Sequence, residues 1–299
     1  MSAAELEMVN AMLRAIPKEG PVEDWPLARA NMEAALAALP PVEGVSQTPL
    51  KVGATAAEWS AAPGAPQDRV LLYLHGGGYC AGSLKTHRTL VGQIAKSFKG
   101  RVLAIDYRLG PEHKYPAAVD DAVAAYQFIL AQGIKPSHIA IAGDSAGGGL
   151  TVATLLALRD KKIALPAAAW PISPWVDLEG RGASMKTKAE SDLIVTADGL
   201  HNYAKAYAGA RRGEALASPV NANLAGLPPL LIQVGSAEVL LDDSLTLAQK
   251  AGAADVDVKL EIWPHMPHVW HIFAPLLTEA RDAISAGAAW LNTRLGHAQ

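Results

Sequence analysis

A serine stands inside the stretch GDSAG (residues 143–147), between a short apolar run and a helical pattern. A sharp strand-to-helix turn forces the serine into a strained backbone conformation, and side chains two positions away would collide, so glycine is needed there. The hydroxyl of Ser145 then stands clear of the sheet, at a helix N-terminus whose dipole favours developing negative charge. A glycine-rich turn with an inert serine has the same short pattern, but the flanking elements favour a nucleophile. Gly148 and Gly149 extend the run, and we expect them to let the helix pack closely on neighbouring strands.

A second glycine run, LHGGGY, follows the first long apolar run. Backbone N–H groups in such a run can converge on one point, and acyl transfer needs such donors where a carbonyl oxygen becomes negative. A dinucleotide-binding site is the competing interpretation, because Gly76, Gly78 and Ala81 fit the pattern G-x-G-x-x-G/A and Asp106 ends the next apolar run. That interpretation is disfavoured because GSLKTH delays the next helix and because it leaves the serine without a role.

Short apolar runs alternate with longer helical patterns from about residue 50 onward, and these elements must position both glycine runs. Near-continuous apolar strands separated by helices indicate a mostly parallel sheet that is covered on both faces. The helical patterns between them include two that end on Gly133 and Gly252. The predicted strands are VLLYLH (70–75), VLAIDY (102–107), HIAIAG (138–143), AAAWPIS (167–173), LLIQVG (230–235) and VKLEIW (258–263).

Two segments lie outside this alternation. In the first 45 residues, apolar side chains recur at helical spacing, and the long connection after AAAWPIS holds the amphipathic stretch TADGLHNYAKAYAG. Long loops inside compact domains tend to be functional. We therefore expect a catalytic domain made of residues 46–175 and 226–299, with a helical cap made of an N-terminal arm (residues 1–45) and an insertion (residues 176–225).

The composition is that of an ordinary soluble protein of 299 residues, half of them hydrophobic, with a formal charge of -3. This charge gives no reason to expect nucleic acid or an anionic membrane as partner. The amino terminus carries acids where a signal peptide needs a basic region, and no run approaches the roughly 18 apolar residues that span a bilayer. The single cysteine, Cys80, permits no intrachain disulfide. We expect a cytoplasmic protein without membrane insertion.

Six motifs follow one another along the chain: HGGGY (75–79), DYRLGPEHKYPAAVDDA (106–122), GDSAGG (143–148), SPWVDL (173–178), EVLLDD (238–243) and MPHVW (266–270). With these motifs the chain resembles the bacterial hormone-sensitive-lipase-like esterases of the α/β-hydrolase fold, in about residues 70–273. The resemblance implies a mostly parallel central sheet flanked by helices, with a helical cap. It also implies that Ser145 is the nucleophile and that the N–H groups of Gly77, Gly78 and Ala146 form an oxyanion hole.

Two carboxylates compete for the role of the acid. The family usually has Asp at the first position of D-x-L-x-D, where this chain has Glu238, four residues beyond Val234 in the loop after a predicted strand. Active-site residues of α/β sheets gather at this edge. Asp242 stands just ahead of a helical pattern, where Asp is favoured as an N-cap. We expect Glu238 to be the acid.

Three histidines, His265, His268 and His271, fall within WPHMPHVWH. This spacing could suggest a metal site, but on a helix the three would spread around the axis, and Pro267 interrupts such a helix. His268 matches the histidine of the family, although HVW replaces the usual H-G-F. His265 is expected to have a loop role, and His271 to be solvated or packed on the next helix.

The resemblance implies a serine carboxylesterase that acts on short- to medium-chain acyl esters, with neither a cofactor nor a metal. A lactone hydrolase is an alternative, as is a receptor of the kind that keeps the serine but loses the histidine; the presence of His268 disfavours the receptor. The oligomeric state, including a homodimer, is left open. The side chains expected to bind the substrate are Trp25, Tyr79, Tyr203 and Tyr207.

Overall fold

A computed structural model describes residues 2–296, apart from residues 17, 19 and 41. The described residues form one eight-stranded sheet, which confirms the predicted α/β class. The six predicted strands match six of the observed ones to within two residues. The strands are β1 (Ser46–Val52), β2 (Thr55–Ala61), β3 (Val70–Leu74), β4 (Arg101–Ile105), β5 (Ile139–Asp144), β6 (Ala168–Ile172), β7 (Leu230–Gly235) and β8 (Val258–Trp263).

The sheet has the order β1-β2-β4-β3-β5-β6-β7-β8, and β3 to β8 are parallel to one another. The antiparallel hairpin of β1 and β2 at one edge was not predicted. Strand β1 is mostly exposed and contains Pro49, so it lacks the apolar run that marks a buried strand, while an edge strand tolerates proline. Gly53, with φ +60°, makes the tight turn of the hairpin.

Helices cover both faces of the sheet because alternate strand side chains point to opposite sides. Leu72 and Leu74 belong to a buried apolar cluster on one face of the sheet, whereas Leu71 and Tyr73 belong to a second cluster on the other face. The α-helices among the described residues are α1 (Ala3–Arg14), α2 (Trp25–Ala37), α3 (Leu84–Ser97), α4 (Ala117–Ala131), α5 (Ala146–Asp160), α6 (Ser184–Thr187), α7 (Ala197–Tyr207), α8 (Leu241–Ala253) and α9 (Thr278–Arg294).

The N-terminal arm contacts the insertion at several points. The Lys18 ammonium donates to the carbonyl of Ala189 (2.8 Å), and the N–H of Val22 donates to the side chain of Asn202 (2.9 Å). Helix α1 packs its buried side chains into the apolar cluster that also contains α3 and α9. Ile16 follows the end of this helix and is exposed, so it does not extend the buried face of α1. These contacts are compatible with the cap boundaries, which stay a prediction.

No helix in the described ranges is both long enough and apolar enough to cross a membrane.

Candidate active site

Ser145 lies at the turn between β5 and α5 with φ +55°, a conformation that is uncommon for a residue with a side chain. Glycine is needed on both sides of it because the backbones approach closely. A Cβ on Gly147 would lie 1.9 Å from the carbonyl oxygen of Leu74, and one on Gly143 would lie 2.4 Å from the carbonyl oxygen of Gly147. The strained turn therefore holds the serine at the carboxyl edge of the sheet.

The next two glycines allow a second close approach. A Cβ on Gly148 would lie 2.9 Å from Cα of Pro174, and a Cβ on Gly149 would lie 2.1 Å from the carbonyl oxygen of Trp175. Helix α5 thus packs directly on backbone, as the glycine run suggested. Its partner at these two positions is the segment after β6 rather than a strand.

Three side chains from separate loops form a continuous hydrogen-bonded chain at this edge. Nε2 of His268 lies 2.9 Å from Oγ of Ser145, and Nδ1 of His268 lies 2.7 Å from Oε2 of Glu238. Glu238 follows β7 and His268 follows β8, so neighbouring strands deliver both residues to the serine. In this arrangement the imidazole can accept the serine proton while a carboxylate holds its other nitrogen.

The Glu238 carboxylate is fully buried and uses both of its oxygens. Oε1 accepts hydrogen bonds from Oγ of Ser173 (2.7 Å) and from the N–H of Gly235, while Oε2 faces His268. Burial raises the pKa of Glu238 above its ordinary value, although the bonds to His268, Gly235 and Ser173 favour the charged form. Sequence reasoning missed Ser173. The available sequence signal was its place at the carboxyl end of the predicted strand AAAWPIS, where active-site residues of α/β sheets gather. In the structure it is the first residue beyond β6, with φ +42°.

Asp242, the competing acid, faces the insertion instead of a histidine. Its Oδ2 accepts from the N–H of Ser184 (2.9 Å), and its own N–H donates to Oγ of Ser184 (3.0 Å). The expected N-cap role is wrong, because α8 begins at Leu241 and Asp242 already lies inside its first turn. Its carboxylate joins α8 to α6.

The glycine loop (residues 75–79) lies beside the serine in a backbone conformation that favours glycine. Gly77 has φ +112° and Gly78 has φ +61°, and the carbonyl of Gly77 accepts from the N–H groups of Cys80 and Ala81. Within the described part of the chain, the N–H groups of Gly77, Gly78 and Ala146 donate no hydrogen bond to another protein group. They are therefore available to an oxygen atom of a substrate.

Two of the four expected substrate-binding aromatics meet next to this loop. Tyr203 lies so close that a Cβ on Gly78 would be 2.2 Å from its ring. The indole of Trp25 contacts the Tyr203 ring edge-on, with 5.1 Å between centroids. The arm and the insertion thus meet over the glycine loop.

The other two aromatics lie deeper. Tyr79 and Tyr207 stack in parallel, 4.0 Å apart, and neither ring has appreciable exposed surface. Direct contact with a substrate was the expectation for both, whereas a fully buried stack can only shape the site from below. We expect the pair to support the glycine loop rather than to touch an acyl group.

The other two histidines of WPHMPHVWH make contacts outside the chain from Ser145 through His268 to Glu238. His265 is exposed, and its N–H donates to Oγ of Ser236 (2.8 Å). His271 is the packed one of its two expected alternatives: Nε2 contacts Oε1 of Gln233 (2.9 Å), and burial lowers its pKa to about 3.

The residues of the dinucleotide pattern have other roles. Helix α3 begins only at Leu84, after a capping box between Ser83 and Thr86. Asp106 accepts from the N–H of Leu84 (2.6 Å) at this same helix start. Its carboxylate therefore serves the helix terminus.

Comparison with known proteins gives consistent results. A family described as the alpha/beta hydrolase fold matches residues 71–272. The chain is 44% identical to an acetyl-hydrolase of Streptomyces hygroscopicus over an alignment of 301 positions, which spans 99% of each protein. It is 36% identical to an esterase of Acinetobacter venetianus over 219 residues, which cover 73% of this chain and 72% of that one. The crystal structure of an esterase from the bacterial hormone-sensitive lipase (HSL) family is similar with a TM-score of 0.95 at 45% identity, covering 99% of this chain and 100% of that chain.

Proposed function

Because the chain belongs to the bacterial hormone-sensitive-lipase family of α/β-hydrolase esterases, it is a carboxylic ester hydrolase, and we propose that it cleaves short- to medium-chain acyl esters through an acyl-enzyme. The observation that carries the mechanism is the hydrogen-bonded chain from Ser145 through His268 to Glu238. No other pair of groups at this edge gives the serine a base whose second nitrogen is held by a carboxylate, among the residues that the structure describes.

The first step is attack on the ester. His268 takes the proton from Ser145 through Nε2 while Oγ forms a bond to the carbonyl carbon. The imidazolium that results is stabilised by Glu238, which also fixes the tautomer that presents Nε2 to the serine. When the tetrahedral intermediate collapses, His268 returns the proton to the leaving alcohol, and the acyl group stays on the serine.

The carbonyl oxygen becomes negative during attack and needs hydrogen-bond donors. We assign this role to the N–H groups of Gly77, Gly78 and Ala146, which are free of protein partners within the described ranges. Removing one such donor typically costs about 2.7–4 kcal/mol of transition-state stabilisation. The start of α5 adds its dipole at the same point.

The second step releases the acid. His268 deprotonates a water molecule, which attacks the acyl carbon, and the proton then passes back to Ser145 as the acid leaves. The same groups serve both steps, so the mechanism calls for no cofactor.

The preference for short to medium acyl chains is supported by the aromatic contact above the glycine loop. Trp25 and Tyr203 contact each other edge-on, and Tyr203 lies against Gly78, which limits the space next to this part of the proposed oxyanion hole. The Streptomyces relative, named an acetyl-hydrolase, is compatible with a small acyl group.

A panel of p-nitrophenyl esters of increasing acyl length tests the proposal. Hydrolysis is expected to be fastest for short to medium chains and to stop after treatment with a serine-directed phosphonate that adds its mass to the peptide containing Ser145. Lactones in the same assay test the alternative that the sequence left open. Turnover that survives complete modification of Ser145 would overturn the mechanism.

A further inference from the structure

The residue before the proposed nucleophile, Asp144, is a buried carboxylate that the mechanism above does not use. It is only 2% exposed, at the end of β5. An ionised carboxylate away from water is unfavourable unless hydrogen bonds or an opposite charge compensate for the lost hydration. The hydrogen-bond partners of Asp144 must therefore compensate for the hydration that its carboxylate loses on burial.

These partners come from three separate elements. Oδ1 accepts from the hydroxyl of Tyr73 on β3 (2.6 Å) and from the N–H of Gly76 in the glycine loop (3.1 Å). Oδ2 lies 3.2 Å from Nε2 of His87 on α3. Burial by itself would raise the pKa of Asp144, but His87 and the Tyr73 hydroxyl outweigh it, so the pKa lies below its ordinary value. A fully bonded buried network of this kind is rigid.

The same contact explains why residue 76 is glycine. A Cβ on Gly76 would lie 2.2 Å from Oδ2 of Asp144 and 3.1 Å from its backbone oxygen. The carboxylate occupies the space that a side chain at position 76 would fill. The glycine at position 76 in HGGGY is thus required by the aspartate at position 144 in GDSAGG, although the two motifs lie far apart in the chain.

We propose that Asp144 is a positioning residue that fixes the glycine loop relative to the nucleophile. Asp144 directly precedes Ser145, and Gly76 directly precedes Gly77, so one hydrogen bond joins the two halves of the proposed oxyanion hole. The inference rests on the proposed function. Donors aimed at a developing charge act well only when they are held in place beforehand, and a displacement of about 1 Å can reduce the rate about 100-fold.

The loop has a second anchor that does not depend on Asp144. The hydroxyl of Tyr107 donates to the carbonyl of His75 (2.7 Å), and the two rings stack 4.2 Å apart. Loss of the Asp144 carboxylate is therefore expected to shift the loop rather than to unfold it.

The test compares Asp144→Ala with Asp144→Asn in the full-length protein. Asp144→Ala should lower kcat about 100-fold with KM within about threefold, because the loss falls on the transition state. It should weaken inhibition by an alkyl trifluoromethyl ketone by a similar factor, since this inhibitor forms a tetrahedral oxyanion on the serine. Asp144→Asn should retain most of the wild-type kcat and most of the affinity for the ketone, because the amide oxygen still accepts a hydrogen bond from the N–H of Gly76.

Asp121→Ala is the matched control. The Asp121 carboxylate is also buried and also accepts a backbone N–H, that of Arg108 (2.8 Å), together with its guanidinium. It supports a different loop, so its loss should lower the melting temperature without changing the ratio of inhibitor affinity to KM.

A folded Asp144→Ala protein that matches the Asp121→Ala control in kcat and in ketone affinity would overturn the inference while leaving the proposed function intact. If Asp144→Ala does not fold, the comparison of Tyr73→Phe with Tyr126→Phe replaces it as the test. Tyr73→Phe removes a hydroxyl that donates to Asp144, and Tyr126→Phe removes a buried hydroxyl that donates to the carbonyl of Ala164. The Tyr73 hydroxyl bonds the same oxygen, Oδ1, that accepts from Gly76, so its loss is expected to release the carboxylate from the position that holds the glycine loop. A loss of kcat and ketone affinity confined to Tyr73→Phe supports the inference, and equal kinetics in the two variants overturn it. Wild-type protein without esterase activity would overturn the proposed function as well.

Discussion

Glu238 reaches His268 with one carboxylate oxygen, 2.7 Å from Nδ1, while its other oxygen is held by Ser173 and Gly235. Asp242, four residues later, is bonded to Ser184 and contacts neither member of the pair.

The first prediction separates these two acids. Glu238→Gln keeps the shape of the side chain but removes the charge that stabilises the imidazolium, so kcat should fall roughly 1000-fold or more. Asp242→Asn should retain most activity, because its amide oxygen can still accept from Ser184. Steady-state kinetics of both variants at saturating ester decide the matter. A large loss in Asp242→Asn with a small one in Glu238→Gln would reverse the assignment.

The second prediction concerns the nucleophile. Ser145→Ala should reduce kcat by a factor on the order of 10⁶ with an unchanged far-UV spectrum, as for triad serines in general. Ser191→Ala, an exposed serine of the insertion, is the control and should keep wild-type kinetics. Turnover near the wild-type level in Ser145→Ala would contradict the mechanism.

The third prediction concerns the contact between arm and insertion. Trp25→Ala removes the edge-on contact with Tyr203, and an aromatic pair contributes about 0.5–1.5 kcal/mol, so kcat/KM for the best ester should fall roughly 2- to 10-fold. Leu27→Ala, on the same helix but 55% exposed, should have no such effect. The ester panel, run on both variants, measures kcat/KM for each acyl length. Indistinguishable chain-length profiles would mean that Trp25 does not border the acyl site.

The fourth prediction uses two glycines in helices. Gly252→Ala should raise the free energy of unfolding by about 0.5–1 kcal/mol, because a Cβ there meets nothing within 4 Å. Gly149→Ala should lower it by about 1–3 kcal/mol or more, because its Cβ would lie 2.1 Å from the Trp175 carbonyl oxygen. Urea unfolding measures both. Effects of the same sign would refute the close approach of α5 to the segment after β6.

The fifth prediction concerns pH and the buried Asp243. Its Oδ1 accepts the N–H groups of Val176 and Asp177, Oδ2 has no partner within the described part of the chain, and burial raises the pKa of the carboxyl from 3.8 to about 8. Between these values the folded state binds the proton and the unfolded state does not, so the contribution of Asp243 to stability falls as pH rises from about 4 to about 8.

Asp243→Asn keeps the acceptor oxygen and removes this titration. Its melting temperature relative to wild type should therefore rise from pH 5 to pH 8, whereas Asp255→Asn, which changes an exposed carboxylate, should show no such trend. Parallel profiles for wild type and Asp243→Asn would show that Asp243 does not titrate in this window.

The sequence by itself determined the parallel strands and the two glycine-rich turns. Short, continuous apolar runs bury their side chains when a sheet is covered on both faces, so they predict buried strands. The turn around Ser145 leaves room for little but glycine on either side, so a short stretch of sequence is enough to predict it. The hairpin of β1 and β2 could not be predicted from the sequence, because its stability comes from the pairing of β2 with β4 and not from an apolar pattern of its own.

The tertiary structure alone decided which of several similar residues meet. It brought Glu238 rather than Asp242 to His268, turned His271 into the core toward Gln233, and buried Tyr79 against Tyr207. It also paired Asp144 with Gly76. Each of these contacts joins segments far apart in the chain, and their distances depend on the register of whole strands and the packing of whole helices. Residue spacing alone fixes neither, which is why the sequence could favour Glu238 without showing its contact with His268, left two alternatives for His271, and placed Tyr79 and Tyr207 at the substrate.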